Sequence, residues 1–323
     1  MIDVAEPVPG RPYALIHGDG ADADALSDET VIALYKAHGA VLLRSFAMDL
    51  DGFRRFTGRF CASSVFNESP DRLLLDQAHN IQSVNGGADP FPLHPELSRE
   101  PWKPDVCFFC CLGAPTRGGE TTICDGIEIV RRLPDAVRAG LEARRLLYIQ
   151  PASRETLAFW LGTPEPSDAA LAAPPAHCPY AFFRVKDRIV RAFTRPALHK
   201  PMFSDAPAFG NFLLFARYYL GNPSFPALDN GRPVPAEWVE AAKAASDPIT
   251  APIAWQRGDL VMIDNSRFMH GRNAITDSHE RLIASYFGYL RFALPNPEEP
   301  PAPLWRRATF RPPEIRRSSG IGI

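Results

Sequence analysis

Apolar residues recur at helical spacing in two stretches near the start of the chain. Residues 27–39 begin with a serine that can cap a helix and end on a glycine that can stop one, and a short apolar run typical of a buried strand follows. Residues 49–60 place Phe53, Phe56 and Phe60 on one helical face. A packed amphipathic helix requires that spacing, so we expect all three phenylalanines in the core.

The remainder of the chain alternates apolar runs with segments rich in turn residues. The apolar runs predict buried or half-buried strands at 106–112, 120–124, 181–192, 258–264 and 281–290. Helical patterns occupy 127–147, with a break at Pro134, and recur near 206–220 and 235–246. Residues 80–104 are rich in asparagine, glycine, proline and aspartate, which predicts a loop or a strand interrupted by loops.

Three of the six cysteines lie in the run 106–112, whose sequence is VCFFCCL. No glycine or turn residue separates these cysteines. We therefore interpret them as small hydrophobic residues of a buried strand rather than as a metal or redox site.

Composition and charge exclude several classes of function. The 323 residues are 46% hydrophobic and 22% charged, which is typical of a globular protein with a large core. Lysine and arginine number 35 against 37 acidic residues, so no basic excess indicates a nucleic-acid surface. There is no apolar run of about 18 residues that would predict a membrane span. The first residues lack the apolar segment of a signal peptide, so we expect a cytoplasmic protein.

The distribution of proline and of candidate functional residues bears on domain organisation. The 33 prolines cluster locally, which predicts loop-rich connections around a compact core. Candidate chemistry lies near both ends of the chain, so we expect a single catalytic domain over 1–323. Within it, 150–235 is a candidate insert or lid, and 293–323 is expected to be a surface tail.

The first candidate site is the sequence Leu93-His94-Pro95-Glu96. On extended backbone, residues i and i+2 point to the same face, so the imidazole of His94 and the carboxylate of Glu96 can reach one ion. A His-x-Glu pair alone is weak evidence, because it arises by chance in many chains.

Two further residues give this pair a context. His270 is predicted to lie in a polar turn after the strand 258–264, and Arg281 begins the last strong strand 11 residues later. Two imidazoles and one carboxylate are the protein ligands of non-haem iron(II) oxygenases, which leave open positions on the metal. A keto acid can fill two of those positions and dioxygen the third, while an arginine pairs with the distal carboxylate of the keto acid.

Two stretches of the chain reproduce a known pattern. They are LHPELSREPWKPDVCFFCCLGAPTRGGETTICDG and GDLVMIDNSRFMHGRNAITDSHERLIAS. The first holds His-x-acid, a buried strand and a Gly-Gly-acid-Thr turn; the second holds a strand, Asp-Asn, a distal histidine and a downstream arginine. On these motifs the chain resembles the taurine dioxygenase-like family of iron(II)/2-oxoglutarate-dependent oxygenases. The resemblance spans roughly residues 25–292 and is firmest at the two motif blocks.

The resemblance implies a fold and a set of cofactors. The fold would be mainly β with flanking helices, a double-stranded β-helix or jelly roll. The cofactors would be iron(II), 2-oxoglutarate as co-substrate, and dioxygen. By the same resemblance His94, Glu96 and His270 would ligate iron, while Thr121 and Arg281 would bind the 2-oxoglutarate carboxylate.

Two departures from the family pattern limit the substrate. The carboxylate ligand is Glu96 rather than the commoner aspartate, and its presence argues against halogenation. Taurine dioxygenase binds its sulfonate with an arginine four residues after the 2-oxoglutarate arginine, where this chain has Ser285. The DNSRFMHGRNAI stretch is closer to the branch that includes clavaminate synthase and amino-acid hydroxylases.

We therefore expect hydroxylation of an amino acid or an amino-acid-derived intermediate, either free or bound to a carrier protein. Asn85 and Arg272 are candidate substrate residues. Alternatives are desaturation, cyclisation or another oxidative rearrangement with the same cofactors and, more remotely, a zinc hydrolase or a non-catalytic jelly-roll binding module. No nucleic-acid or membrane partner is expected, and a homo-oligomer is possible.

Overall fold

The structure is a computed structural model that describes residues 3–67, 69, 71–277 and 281–313. The strands, in chain order, are β1 (Asp3–Ala5), β2 (Ala14–His17), β3 (Ala40–Arg44), β4 (Cys61–Ser64), β5 (Leu74–Asp76), β6 (Ile81–Ser83), β7 (Phe91–His94), β8 (Val106–Gly113), β9 (Arg117–Gly118), β10 (Thr121–Asp125), β11 (Arg145–Pro151), β12 (Ala181–Val185), β13 (Arg188–Pro196), β14 (Ala227–Leu228), β15 (Ala251–Ile253), β16 (Leu260–Asp264), β17 (Phe268–Arg272), β18 (Ile275–Asp277) and β19 (Leu282–Leu290). The α-helices are α1 (Asp28–His38), α2 (Leu50–Phe60), α3 (Gly126–Arg132), α4 (Asp135–Glu142), α5 (Arg154–Leu161), α6 (Asp168–Ala172), α7 (Leu213–Tyr218) and α8 (Ala236–Ser246).

Two sheets form the jelly roll that the resemblance implied. The larger sheet has the order β1-β2-β3-β16-β8-β19-β6-β5, with β4 also paired to β19, and the smaller has the order β15-β10-β17-β7. Apolar side chains from both sheets share one core, to which β8 contributes Phe109 and β10 contributes Ile123. The fold prediction, mainly β with flanking helices, is confirmed.

Strand β8 is apolar throughout because both of its faces are covered. Cys107 and Phe109 point into the core between the sheets, while Phe108 and Cys110 pack on the opposite face, against the cluster that includes Phe56 of α2. A strand buried on both sides has no polar alternation. Cys107, Cys110 and Cys111 are free and buried, as the pattern predicted, and the other three cysteines are free as well.

The helix signals at the start of the chain are confirmed. The Ser27 hydroxyl accepts a hydrogen bond from the backbone N–H of Thr30 at 3.1 Å, and Gly39 ends α1 with a φ of +74°. Phe53, Phe56 and Phe60 of α2 are each at most 1% exposed.

Three local predictions were wrong, and pairing between distant strands explains the first and the third. The helical pattern of 127–147 ends at Glu142, since the residues after it form β11 and pair with β13. The helix predicted near 206–220 is only α7. His270 lies within β17 rather than in a turn, because that segment pairs with β7 and β10 on its two sides.

A third sheet, β12-β13-β11-β14, lies in the region between the two motif blocks. It is tied to the segment after β7 by the ion pair Arg191–Glu100, at 3.2 Å, in which both side chains are at most 3% exposed. The Tyr180 hydroxyl also donates to the Glu100 carboxylate at 2.9 Å. Buried charges are tolerated only when paired and hydrogen-bonded, which describes this network.

The chain after β19 is anchored at two residues. Trp305 is 3% exposed, and Arg306 donates to the carboxylate of Asp105 at 2.8 Å. Among the residues described, no helix is both long and apolar enough to cross a membrane.

Candidate metal centre

Strand pairing in the smaller sheet brings the two motif blocks together. His270 of β17 stands opposite His94 of β7, and on its other side β17 pairs with β10, where Thr121 faces Arg272. Glu96 follows β7 by two residues. The candidate ligands are thus close in space although His94 and His270 lie far apart in the sequence.

The three candidate ligands form one compact group. One ligand atom each from His94, Glu96 and His270 lies within 4.8 Å of the others. His270 Nε2 is 3.8 Å from Glu96 Oε2, and the two imidazole ring centroids are 4.7 Å apart. Two nitrogens and one oxygen at this separation could be ligands of a single transition-metal ion.

Both imidazoles are held in the neutral form that a metal requires. Burial lowers the pKa of His94, although the Glu96 carboxylate opposes this shift. Burial, followed by the charges of His94 and Arg72, places the pKa of His270 well below its usual range. His94 Nδ1 lies 2.8 Å from the backbone carbonyl of Pro92. When Nδ1 donates to that carbonyl, the Nε2 lone pair is free for an ion.

The Glu96 carboxylate is held at both oxygens. Asn67 Nδ2 donates to Oε1 at 2.7 Å, and Arg72 Nη2 donates to Oε2 at 3.3 Å. Asn265 accepts from the Glu96 backbone N–H at 2.8 Å. Sequence reasoning missed Asn67 and Arg72, because nothing in their local sequence marks them as neighbours of Glu96.

The ligand group opens into a cavity of about 480 Å³. One wall is aromatic and includes Phe212, Phe215 and Tyr219 from α7 and its flanks. Thr121 and Arg281 also line this cavity, so the structure brings both predicted 2-oxoglutarate residues to the ligand group.

Arg281 is a half-buried cation, and the part of the chain that the structure describes offers its guanidinium one hydrogen-bond acceptor. Its Nε and Nη2 donate to the Gly119 carbonyl at 3.3 and 3.1 Å. A Cβ at Gly119 would lie 2.9 Å from Arg281 Nε, and its φ is +72°, so glycine is required there. Burial, followed by the charge of Arg272, lowers the pKa of Arg281 to about 10. An anion beside Arg281 would relieve both effects.

The two predicted substrate residues reach the cavity wall but are engaged in local contacts. Arg272 donates to the backbone carbonyls of Asn85 and Asp89, both at 2.6 Å. The Asn85 side chain accepts from Arg72 at 2.8 Å and donates to Ser69 at 2.8 Å. These bonds order the loop before β7.

The position without the sulfonate-binding arginine is nevertheless next to a cation. Arg72 Nη1 donates to the Ser285 hydroxyl at 3.1 Å, and the Arg72 side chain is 7% exposed. The positive charge beside Ser285 is therefore that of Arg72, which lies in the segment between β4 and β5.

A family model, the taurine catabolism dioxygenase TauD, TfdA family, matches residues 6–286. The chain belongs to this family. The enzyme is accordingly an iron(II)- and 2-oxoglutarate-dependent dioxygenase, which disfavours the zinc hydrolase and the non-catalytic binding module. No curated protein is similar enough in sequence to match the chain.

Several solved structures share the fold at low sequence identity. PvcB from Pseudomonas aeruginosa, described as an Fe, alpha-ketoglutarate dependent oxygenase from an isonitrile synthetic pathway, has a TM-score of 0.60 at 16% identity over 92% of this chain and 94% of that one. A taurine dioxygenase from Burkholderia xenovorans has a TM-score of 0.59 at 14% identity over 93% and 92%. AAD-2, crystallised with Mn(II) and N-oxalylglycine, has a TM-score of 0.58 at 13% identity over 92% and 99%.

Proposed function

We propose that His94, Glu96 and His270 hold the iron(II) of this dioxygenase. The observation that carries the proposal is the convergence of two imidazoles and one carboxylate within 4.8 Å. Two nitrogens and one oxygen suit iron(II) and leave coordination sites for a bidentate keto acid and dioxygen. The bound metal would supply the oxidative decarboxylation of 2-oxoglutarate and the activation of dioxygen.

The surrounding residues would position this chemistry. Asn67 and Arg72 orient the carboxylate of Glu96, whose longer side chain has one more rotatable bond than the commoner aspartate. Arg281 and Thr121 would bind the distal carboxylate of 2-oxoglutarate. Thr121 Oγ1 is itself ordered by the indole N–H of Trp255 at 3.1 Å.

We further propose that the substrate is an amino acid or a small amino-acid-derived molecule and that the reaction is hydroxylation. A cavity of about 480 Å³ with an aromatic wall and several arginines suits a small molecule with an apolar part and a polar end. Desaturation and cyclisation remain outcomes that product analysis would distinguish. The cytoplasmic location, a homo-oligomer, the single domain over 1–323 and closure of 150–235 over the cavity stay predictions.

An anaerobic spectrum tests the proposed cofactor site. The apoprotein is mixed with iron(II) and 2-oxoglutarate without oxygen, and the visible absorption is recorded. We expect a weak charge-transfer band that saturates with both components, because 2-oxoglutarate would chelate the bound metal. A folded protein that gives no band would refute the proposal.

Replacing Arg281 with glutamine is expected to weaken 2-oxoglutarate binding roughly 30- to 150-fold, since a charge-assisted contact to a carboxylate contributes about 2–3 kcal/mol. The dissociation constant is measured by anaerobic titration of the charge-transfer band. Arg257→Gln is the matched control, because Arg257 is exposed and lies outside the cavity lining. Equal dissociation constants in the two variants would contradict the role of Arg281.

A further inference from the structure

Among the described residues, four arginines line the cavity, and three of them have hydrogen-bond acceptors in the protein. Arg72 donates to Glu96, Asn85 and Ser285, Arg272 donates to two backbone carbonyls, and Arg281 donates to the Gly119 carbonyl. Each of these three guanidinium groups therefore has a structural contact within the protein.

Arg99 is the exception. Its guanidinium has no hydrogen-bond acceptor and no ion-pair partner anywhere in 3–67, 69, 71–277 or 281–313, although it lines the same cavity and is half-buried. It lies 5.6 Å from the centre of the Phe212 ring, and its charge contributes to lowering the pKa of His94. A partly exposed guanidinium that lines a cavity and has no described acceptor keeps its N–H donors available to a ligand, so its position favours an anionic ligand.

The backbone that carries Arg99 is firmly held. The Arg99 carbonyl accepts from the side chain of Gln150 at 3.3 Å, and Arg195 donates to the Glu100 carbonyl at 2.6 Å. The Glu100 side chain lies in the buried pair with Arg191. Because this backbone is already ordered, less conformational entropy of the protein is lost when a ligand binds to Arg99, as in preorganised binding sites.

The charge of the cavity also favours an anion. Among the described residues, its lining contains four arginines and the three acids Asp71, Glu96 and Glu100, of which Glu100 is neutralised by Arg191. Iron(II) and 2-oxoglutarate dianion cancel each other. Counted over the described lining residues alone, four positive charges against two remaining acids leave a net charge of about +2 in the loaded site.

We propose that Arg99 binds a free carboxylate of the substrate, with the aromatic wall at Phe212, Phe215 and Tyr219 taking its apolar part. The planar guanidinium fork matches a carboxylate in two parallel hydrogen bonds. The substrate is then a free acid with an apolar or aromatic side chain, because a carrier-bound thioester has no such carboxylate. This inference rests on the proposed function, and it selects the free form of the substrate over the carrier-bound form.

The test compares free amino acids with their C-terminal amides, which have nearly the same shape but lack the carboxylate. The enzyme loaded anaerobically with iron(II) and 2-oxoglutarate is titrated with phenylalanine, tyrosine, tryptophan, leucine, isoleucine and methionine, and with the C-terminal amide of each. Binding is followed by the change in the charge-transfer band and by thermal shift. We expect at least one acid to bind roughly 30-fold or more tightly than its amide.

The variant Arg99→Gln is expected to weaken binding of that acid by the same factor, to leave the amide unaffected, and to keep 2-oxoglutarate affinity within about twofold of wild type. Arg99→Lys should restore part of the preference, and the exposed Arg188→Gln should change nothing. Equal binding of acids and amides, acid binding that survives Arg99→Gln, or no binding by any acid would overturn the Arg99 proposal while the 2-oxoglutarate band remains. A wild-type protein without that band would overturn both proposals.

Discussion

Replacing Glu96 with alanine is expected to lower iron(II) affinity by at least about 100-fold and to abolish the charge-transfer band with 2-oxoglutarate. The carboxylate is the one anionic ligand of the proposed set. Its loss would also remove the carboxylate to which Asn67 and one nitrogen of Arg72 donate, so the positive charge of Arg72 would face the metal position without its ion-pair partner. Anaerobic iron(II) titration, followed at the band, measures the affinity.

Two further variants serve as comparisons for Glu96→Ala. Glu142→Ala removes an exposed carboxylate of α4 and should leave iron affinity and the band unchanged. Glu96→Asp keeps the charge but shortens the side chain, so its oxygens retreat from Asn67 and Arg72, and we expect an intermediate affinity. If Glu96→Ala binds iron as Glu142→Ala does, Glu96 is not a ligand.

Replacing Arg191 with leucine is expected to reduce the free energy of unfolding by about 3–5 kcal/mol. The guanidinium is 2% exposed and pairs with Glu100, which is 3% exposed. Without Arg191, the Glu100 carboxylate stays buried with an uncompensated charge, and the Tyr180 hydroxyl loses its donor at 3.0 Å. Urea unfolding followed by tryptophan fluorescence measures the loss.

The matched control is Arg184→Leu on the neighbouring strand β12. Arg184 pairs with Asp168 at 2.6 Å, but the two side chains are 49% and 84% exposed, so we expect a loss below about 1 kcal/mol. The double variant Arg191→Leu with Glu100→Leu removes both charges and should recover part of the stability. Similar losses for Arg191→Leu and Arg184→Leu would show that burial does not set the strength of this pair.

The Glu100 network also connects the third sheet to the site. Arg191 on β13 and Gln150 on β11 hold the segment that carries Arg99, and Arg195 holds the same segment through the carbonyls of Glu100 and Pro101. The region between the two motif blocks therefore supports the cavity even though its sequence carries none of the predicted ligands.

The sequence by itself determined the elements whose signals are local. The cap at Ser27, the stop at Gly39 and the phenylalanine spacing of α2 act through neighbours three or four residues away, so periodicity predicted these helices correctly. The unbroken run of β8 predicted a strand covered on both faces. The resemblance of the two motif blocks to a known family also pointed to the three residues that the fold brings within 4.8 Å.

Only the tertiary structure decided which distant groups surround those residues. His270 lies in a strand because β7 and β10 pair with that segment, whereas its local sequence resembles a turn. The contacts of Glu96 with Asn67 and Arg72, and the absence of an acceptor for Arg99 among the described residues, follow from how separate segments meet at the cavity. Local sequence does not encode such contacts, because they depend on strand order and register across the whole fold.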